Sequence, residues 1–375
     1  MDFLVGTFYS PALFTLRFNA PSSLEIVKRS EACGGHSWLA LSKDHKFLYT
    51  TVWADPAKVA SYKINDDRSA TFMNSKPIKA MSGYVVASDT HLYTAGGPTG
   101  EVFAINADGS LGELVQELNF REGSGKDDGK TGEVAHGDFG GLRHGSHSVD
   151  FSPDGKSLYI ADIGHNCVWS YSVDVSAAST GKPPLTLGMK WIASRSNDGP
   201  RHTWPHPNGK YLYSLQEHSS MVDVLSVAED GTTLELVGGA SIIPADKDPK
   251  DYWADEVRLS RPVKGSPRYL YASTRGLEKS CKGYVAAYRL TAEGLIDGDA
   301  IDIYETATSG GIANAVEPAP DSVEKPDVEY MALTDSAEGY VFVLGFDGKK
   351  LYEAARTQLV DDEGKTLAAA TAVWL

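Results

Sequence analysis

The chain has 375 residues, with 50 acidic against 35 basic side chains and a formal net charge of −15. That balance argues against a nucleic-acid or anionic-membrane surface, where counterion release needs basic patches. Apolar residues make up 42% and charged residues 23%, the proportions of a globular protein, and no apolar run of about 18 residues offers a membrane span.

The first residues, MDFLVGTFYSP, lack a basic segment followed by an apolar one, so no signal peptide is predicted and a cytoplasmic location is expected. The stretch FLVGTFYSPALFTLRF, from Phe3 to Phe18, reads as the second half of a four-stranded unit that has no first half. Short alternating runs bounded by turn residues then continue along the whole chain, and no 3.6-residue apolar pattern persists for a dozen residues. Seven segments read as strands that open a unit: GGHSWLAL, MSGYVVAS, GSHSVDFS, PRHTWPHP, DEVRLS, Ala313–Val316 and Thr371–Trp374. The last has no room for the rest of its unit, which the amino terminus supplies.

Self-comparison sets the period. SPDGKSLYIAD (Ser152 to Asp162) recurs as HPNGKYLYSLQE (His206 to Glu217), with echoes around Tyr49, Tyr93 and Tyr271. Aligned on the tyrosines, including Tyr159 and Tyr213, the gaps are 44, 66, 54 and 58 residues. Asp154-Gly155 and Asn208-Gly209 supply hairpin turns, because these residues accept a positive φ at little cost. Units of this length made of four short strands predict an all-β, seven-bladed β-propeller. Pairing the N-terminal strands with the C-terminal strand closes the ring and removes its open edges. On this reading residues 1–375 form a single propeller domain. Glu122 to Gly145 reads as a long insertion in the third repeat, a lid or a solvated loop.

The chemistry-bearing residues are few. Cys33, Cys167 and Cys281 are far apart; so sparse and odd a count fits a reducing compartment and makes no CxxC pair. No HExxH, GxSxG or strand-linked glycine-rich phosphate loop occurs. His144 and His147 open a strand, and His202 and His206 straddle one, so neither pair is spaced as metal ligands on a helix. In a propeller the innermost strands line a central channel, and sites form where their ends and loops converge. First-strand openings carry His36, His147, Arg201 and Asn314. Four residues beyond the aligned tyrosines stand Glu217 and Arg275, where other repeats have Trp53, Gly97 and Ile163. Charged side chains at positions that are elsewhere apolar or small break the repeat. Two arginines with a histidine and a glutamate suit a dicarboxylate plus a proton-transfer group, since the guanidinium fork pairs with carboxylate. Lys79, His36, His202 and Asn314 are the candidate substrate-binding residues beside that set. Asp162, Asp335 and Asp138 are weaker candidates, the first two suited to holding turns. With Lys79 nearby, Arg201 and Arg275 are expected to form a local positive well in an acidic protein.

HSVDFSPDGKSLYIADIG and DGPRHTWPHPNGKYLYSLQEHSSMVDV closely resemble the lactonase-type seven-bladed propeller family, which includes 6-phosphogluconolactonases and the fungal-type muconate and carboxy-cis,cis-muconate lactonizing enzymes. GTFYSPALFTLRF, YASTRG, TSGGIANAVEP, ALTDSAEGYVFV and TAVWL extend the likeness to the fungal branch over essentially the whole chain. The resemblance implies a metal-free, cofactor-free site with catalytic His147, Arg201, Glu217 and Arg275. It also implies cycloisomerase activity on cis,cis-muconate or its 3-carboxy derivative in aromatic-compound catabolism, the β-ketoadipate pathway. The implied partner is a small di- or tricarboxylate, with no nucleic acid or membrane; a homo-oligomer is compatible with the sequence. The carboxy-muconate pattern reads TSGGHSNAV where this chain has Ile312 and Ala313, groups unable to hold a carboxylate. That departure points to plain cis,cis-muconate. The competing expectations are a lactone hydrolase of the 6-phosphogluconolactonase type and a non-catalytic interaction platform; the latter lacks WD and GH repeat signatures. With His147 expected as the proton donor and Glu217 orienting it or sharing the proton, the arginines would curl the diene and stabilise the enolate.

Overall fold

The computed structural model describes residues 1–120, 145–263, 265–320 and 327–375. The candidate Asp138 and nearly all of the 122–145 segment lie outside the described residues. The strands make seven antiparallel four-stranded sheets. Their innermost strands are Leu39–Leu41, Tyr84–Ala87, Ser146–Phe151, Pro200–Pro205, Tyr252–Leu259, Val316–Pro318 and Ala369–Trp374, and the blades are numbered one to seven in that order. These are the seven openings expected from the repeats. Among the described residues no helix is long and apolar enough to cross a membrane.

Closure differs in one respect from expectation. The amino terminus supplies three strands rather than half a blade: Asp2–Thr7, Ala12–Asn19 and Ser23–Glu31. The first pairs with the last strand of the chain, Phe3 opposite Trp374 and Val5 opposite Ala372. The Phe3 and Trp374 rings sit 4.5 Å apart. Ring closure therefore rests on buried aromatic packing as well as a backbone ladder.

The repeated tyrosines explain the repeat. Tyr49, Tyr93, Tyr159, Tyr213 and Tyr271 lie on the second strands and are all buried between blades. Their hydroxyls reach the neighbouring blade where a partner is available. Tyr159 donates to the Gly231 carbonyl at 2.9 Å, Tyr213 to the Gly294 carbonyl at 2.6 Å and Tyr271 to Glu329 at 2.8 Å. An aromatic side chain supplies a large apolar area, and its single hydroxyl stays satisfied. The recurring motif is thus a blade-to-blade fastener, and the seven-fold frame it builds brings the inner strands to one axis.

Candidate active site

Three neighbouring inner strands carry the same irregularity. The register with the second strand slips between Ser146 and Ser148, between Pro200 and His202, and between Ala254 and Glu256. The extra residues are His147, Arg201 and Asp255. A bulge leaves one residue out of the ladder and re-aims its side chain, and all three of these residues line one cavity on the axis. His202, Arg275 and Trp253 line it as well. Glu217 follows the blade-four second strand, Tyr211–Gln216, and stands behind the two arginines.

The charged groups interlock. Arg275 Nη2 lies 2.6 Å from Glu217 Oε1, and Arg201 Nε lies 3.5 Å from the same oxygen. Arg201 Nη2 is 2.9 Å from Asp255 Oδ1, and Arg275 Nη1 is 3.6 Å from it. Both guanidiniums also donate to backbone carbonyls, Arg201 to Asp255 and Arg275 to Ile312. The Arg275 guanidinium stands 5.2 Å from the centre of the Trp253 ring. All four side chains are at most 8% exposed. The expected positive well is therefore a correction: the arginines are neutralised by their neighbours. Two cations face two anions, because buried guanidiniums need charged partners to be held out of water. Asp255 is the residue that the sequence reading missed. Its signal was alignment with His147 and Arg201 at the bulge position, visible only once the bulge is known.

Burial and neighbouring charge set the protonation states. Burial, with Arg201, His202 and Arg275 around it, holds the His147 imidazole well below its ordinary range, so the ring is neutral at neutral pH. His202 is depressed likewise by burial and by Arg201 and Arg258. The His147 and His202 rings are 5.1 Å apart. His202 Nδ1 is 2.9 Å from Glu256 Oε1, which Arg258 also holds. Below them Trp38 stacks on Tyr84 at 3.8 Å, closing the axis under the cavity. His202 thus lines the site while Glu256 fixes its orientation.

The other candidates are placed elsewhere. His36 is fully buried between the Thr51 carbonyl and the Tyr62 hydroxyl, at 2.8 and 2.7 Å. Asn314 donates its side-chain amide to the Thr274 carbonyl, and its backbone N–H donates to Asp255 Oδ2 at 2.6 Å. It braces the cavity wall through Asp255. Lys79 is exposed and pairs with Glu117 at 2.6 Å on outer strands, so the suggestion that it supports the arginines is a correction. It belongs to the loop after the outermost strand, Ala70–Pro77, and so lies away from the arginines. Asp162 accepts from His165 and Trp169, and Asp335 from the Ala337 and Glu338 backbones, both holding turns.

Opposite the charged groups the wall changes character. Phe8, Trp53, Ile312, Ala313, Ala315 and Thr371 come from blades six, seven and one. Ile312 and Ala313 do face the cavity. A mainly apolar wall facing convergent guanidiniums around the axis is the arrangement of a propeller with a binding cavity at its centre.

The comparisons agree with that class. The "Lactonase, 7-bladed beta-propeller" family matches residues 2–359, and the chain belongs to it. Over 100% of this chain and 98% of the relative it is 43% identical to "Muconate cycloisomerase 1" of Cutaneotrichosporon cutaneum. It is 26% identical, over 95% of both chains, to "Carboxy-cis,cis-muconate cyclase" of Neurospora crassa. In fold it is similar to a putative 6-phosphogluconolactonase from Bacteroides uniformis, with a TM-score of 0.74 and 18% identity over 99% of each chain.

Proposed function

We propose that the protein is a cycloisomerase that lactonizes cis,cis-muconate. The observation that carries the reading is the meeting of Arg201 and Arg275 on the axis, facing the apolar wall of Phe8, Ile312 and Ala313. The full-length likeness to a protein named muconate cycloisomerase supports it. Two guanidiniums suit two carboxylates. A third carboxylate would meet Ile312 and Ala313, which offer it no side-chain donor, so the 3-carboxy derivative is the poorer substrate.

In this reaction a carboxylate oxygen adds to the double bond conjugated with the other carboxylate. A C–O bond forms, the electron pair moves onto the distant carboxylate as an enolate, and a proton then reaches the α-carbon. The muconate dianion and one proton give a lactone monoanion. Arg201 and Arg275 hold the ends together and stabilise the enolate, effects worth several kcal/mol and about 3–4 kcal/mol respectively in comparable sites. His147, neutral among cations, serves as a hydrogen-bond donor to the substrate rather than as the acid. Glu217 is assigned the proton. The cavity of about 30 Å³ holds roughly one water, so substrate takes over the guanidinium N–H groups now spent on Glu217 and Asp255.

The test is spectrophotometric. Incubation with cis,cis-muconate should abolish its diene absorbance, faster than with 3-carboxymuconate and with no hydrolysis of 6-phosphogluconolactone. Hydrolysis of the sugar lactone with muconate untouched would replace this reading by the hydrolase.

A further inference from the structure

The residue after Glu217 has no part in the site so far. His218 sits in the turn between Tyr211–Gln216 and Met221–Val227, packed against Trp253 with ring centres 5.8 Å apart. Neither of its ring nitrogens makes a well-formed hydrogen bond within the described protein. Glu217 Oε2, Ser219 Oγ and Ser220 Oγ are also buried without a partner. Four consecutive residues thus carry unsatisfied polar atoms, where nearly all such groups are normally paired. His218 Nε2 lies 3.8 Å from Glu217 Oε2. The His218 side chain is 7% exposed and that of Glu217 is 0% exposed, so of the two only the imidazole reaches the surface. Its seat requires a glycine on one side. Gly199 has φ +69°, and a Cβ there would come within 2.7 Å of His218 Nδ1.

Charge balance gives this placement a use. The site holds two cations and two anions. A dicarboxylate that takes both guanidiniums leaves Glu217 and Asp255 short of partners. Asp255 keeps the Asn314 backbone N–H on Oδ2, whereas Glu217 Oε2 has nothing. A buried carboxylate stripped of its cations becomes neutral by taking up a proton.

We propose that dicarboxylate binding loads Glu217 with one proton and that His218 is the port through which that proton arrives from solvent. This deepens the cycloisomerase reading and rests on it. The steps balance: His218 takes one proton from a solvent or buffer acid on its free ring nitrogen, the imidazolium passes its Nε2–H proton to Glu217 Oε2, and the ring ends neutral as it began. Glu217 then passes the proton to the α-carbanion of the enolate, ending as the carboxylate it began as. The groups facing His218 fit the task. Glu217 favours the imidazolium, and Asp198 does so more weakly. Burial and Arg275 oppose it, holding the ring below its ordinary range, and the Asn197 backbone lies beside it. A ring that is readily charged and discharged passes protons in both directions. His218 touches no substrate; it is a relay residue acting through Glu217.

Adipate, the saturated six-carbon dicarboxylate, isolates the binding step. Titration calorimetry in phosphate and in Tris at pH about 7.5 should show uptake of about one proton per adipate bound, because the buffers' ionisation heats differ. Zero uptake overturns the loading. Stopped-flow mixing of adipate with wild type in the presence of a pH-indicator dye should show that uptake directly. H218Q should give the same amplitude about tenfold more slowly, with added imidazole restoring the rate. An H218Q trace as fast as wild type overturns the port. With muconate, H218Q should lower kcat about tenfold with KM unchanged, more steeply as pH rises. Both adipate readouts are independent of turnover. Proton uptake on adipate without consumption of muconate would sink the cycloisomerase reading alone, and consumption of muconate without uptake would sink only the loading.

Discussion

The two halves of the channel mouth are built from the same repeat and do opposite things. Blades three to five contribute His147, Arg201, Glu217, Asp255 and Arg275, all buried, with the two arginines and the two carboxylates mutually paired. Blades six, seven and one contribute Ile312, Ala313, Ala315, Phe8 and Trp53. The charged arc is assembled by three bulged strands in succession. In the other arc Leu39–Leu41 and Val316–Pro318 keep a regular register, and only Ala369–Trp374 slips against its partner, between Val5 and Thr7. A bulge costs a ladder position, so it is found where a side chain must leave the sheet. The difference teaches that this propeller bulges every strand from which charge must be aimed and bulges few where shape suffices.

The comparison can be broken at four points, in descending order of effect. Deleting residues 369–375 removes the strand of the apolar arc that closes the ring onto the amino terminus and bares the edge of Asp2–Thr7. The cooperative unfolding transition should be lost in a thermal melt; a variant that melts as sharply as wild type would show that closure does not hold this arc. Next, Arg201→Ala and His147→Ala should each lower kcat on muconate at least about 100-fold. His147 Nδ1 has no hydrogen-bond partner, so its variant should keep the wild-type melting temperature. Near wild-type turnover in either would remove the charged arc from the chemistry.

The apolar arc is sharpened by a smaller change. Ile312→His should raise kcat/KM for 3-carboxymuconate relative to muconate by about tenfold, roughly 1.4 kcal/mol of discrimination. An unchanged ratio would mean that the wall does not select the substrate. The smallest effect lies outside both arcs. Burial pushes His36 down to about 4 from an ordinary 6.5. Its neutral form therefore contributes stability that is present above pH about 6.5 and lost as pH falls toward about 4. His36→Gln should flatten that acid slope in denaturant titrations, whatever its stability at pH 8; an identical slope would assign the acid loss to other groups.

Much of the frame was legible because its signals are local. The Leu-Tyr pairs and Asn-Gly turns recur at positions that can be counted, and the unpaired terminal segments had to meet each other. The expectation of half a blade at the amino terminus fell short by one strand. Ser23–Glu31 is largely exposed and alternates weakly, so it carries little apolar signal. Arg201, Glu217 and Arg275 stood out as breaks in the repeat, and the structure brings both arginines within 3.5 Å of Glu217. Asp255 was hidden inside a segment read simply as a strand opening. His36 and Asn314 shared the register of site residues, yet their side chains are consumed by neighbouring backbone and hydroxyl groups.

The sequence alone determined the number of blades, the closure of the ring and the arginines that interrupt the pattern, because period and composition are written along the chain. It also carried the replacement of polar groups by Ile312 and Ala313. Only the tertiary structure decided that Lys79 points to an outer strand, that Asp255 and Glu217 neutralise the arginines, and that the His218 ring packs on Trp253 beside the Glu217 carboxylate. These are facts of distance and burial between residues up to 58 positions apart, and one-dimensional spacing does not encode which of them meet. The net charge of −15 described the exterior; the balance at the axis depends on four buried side chains.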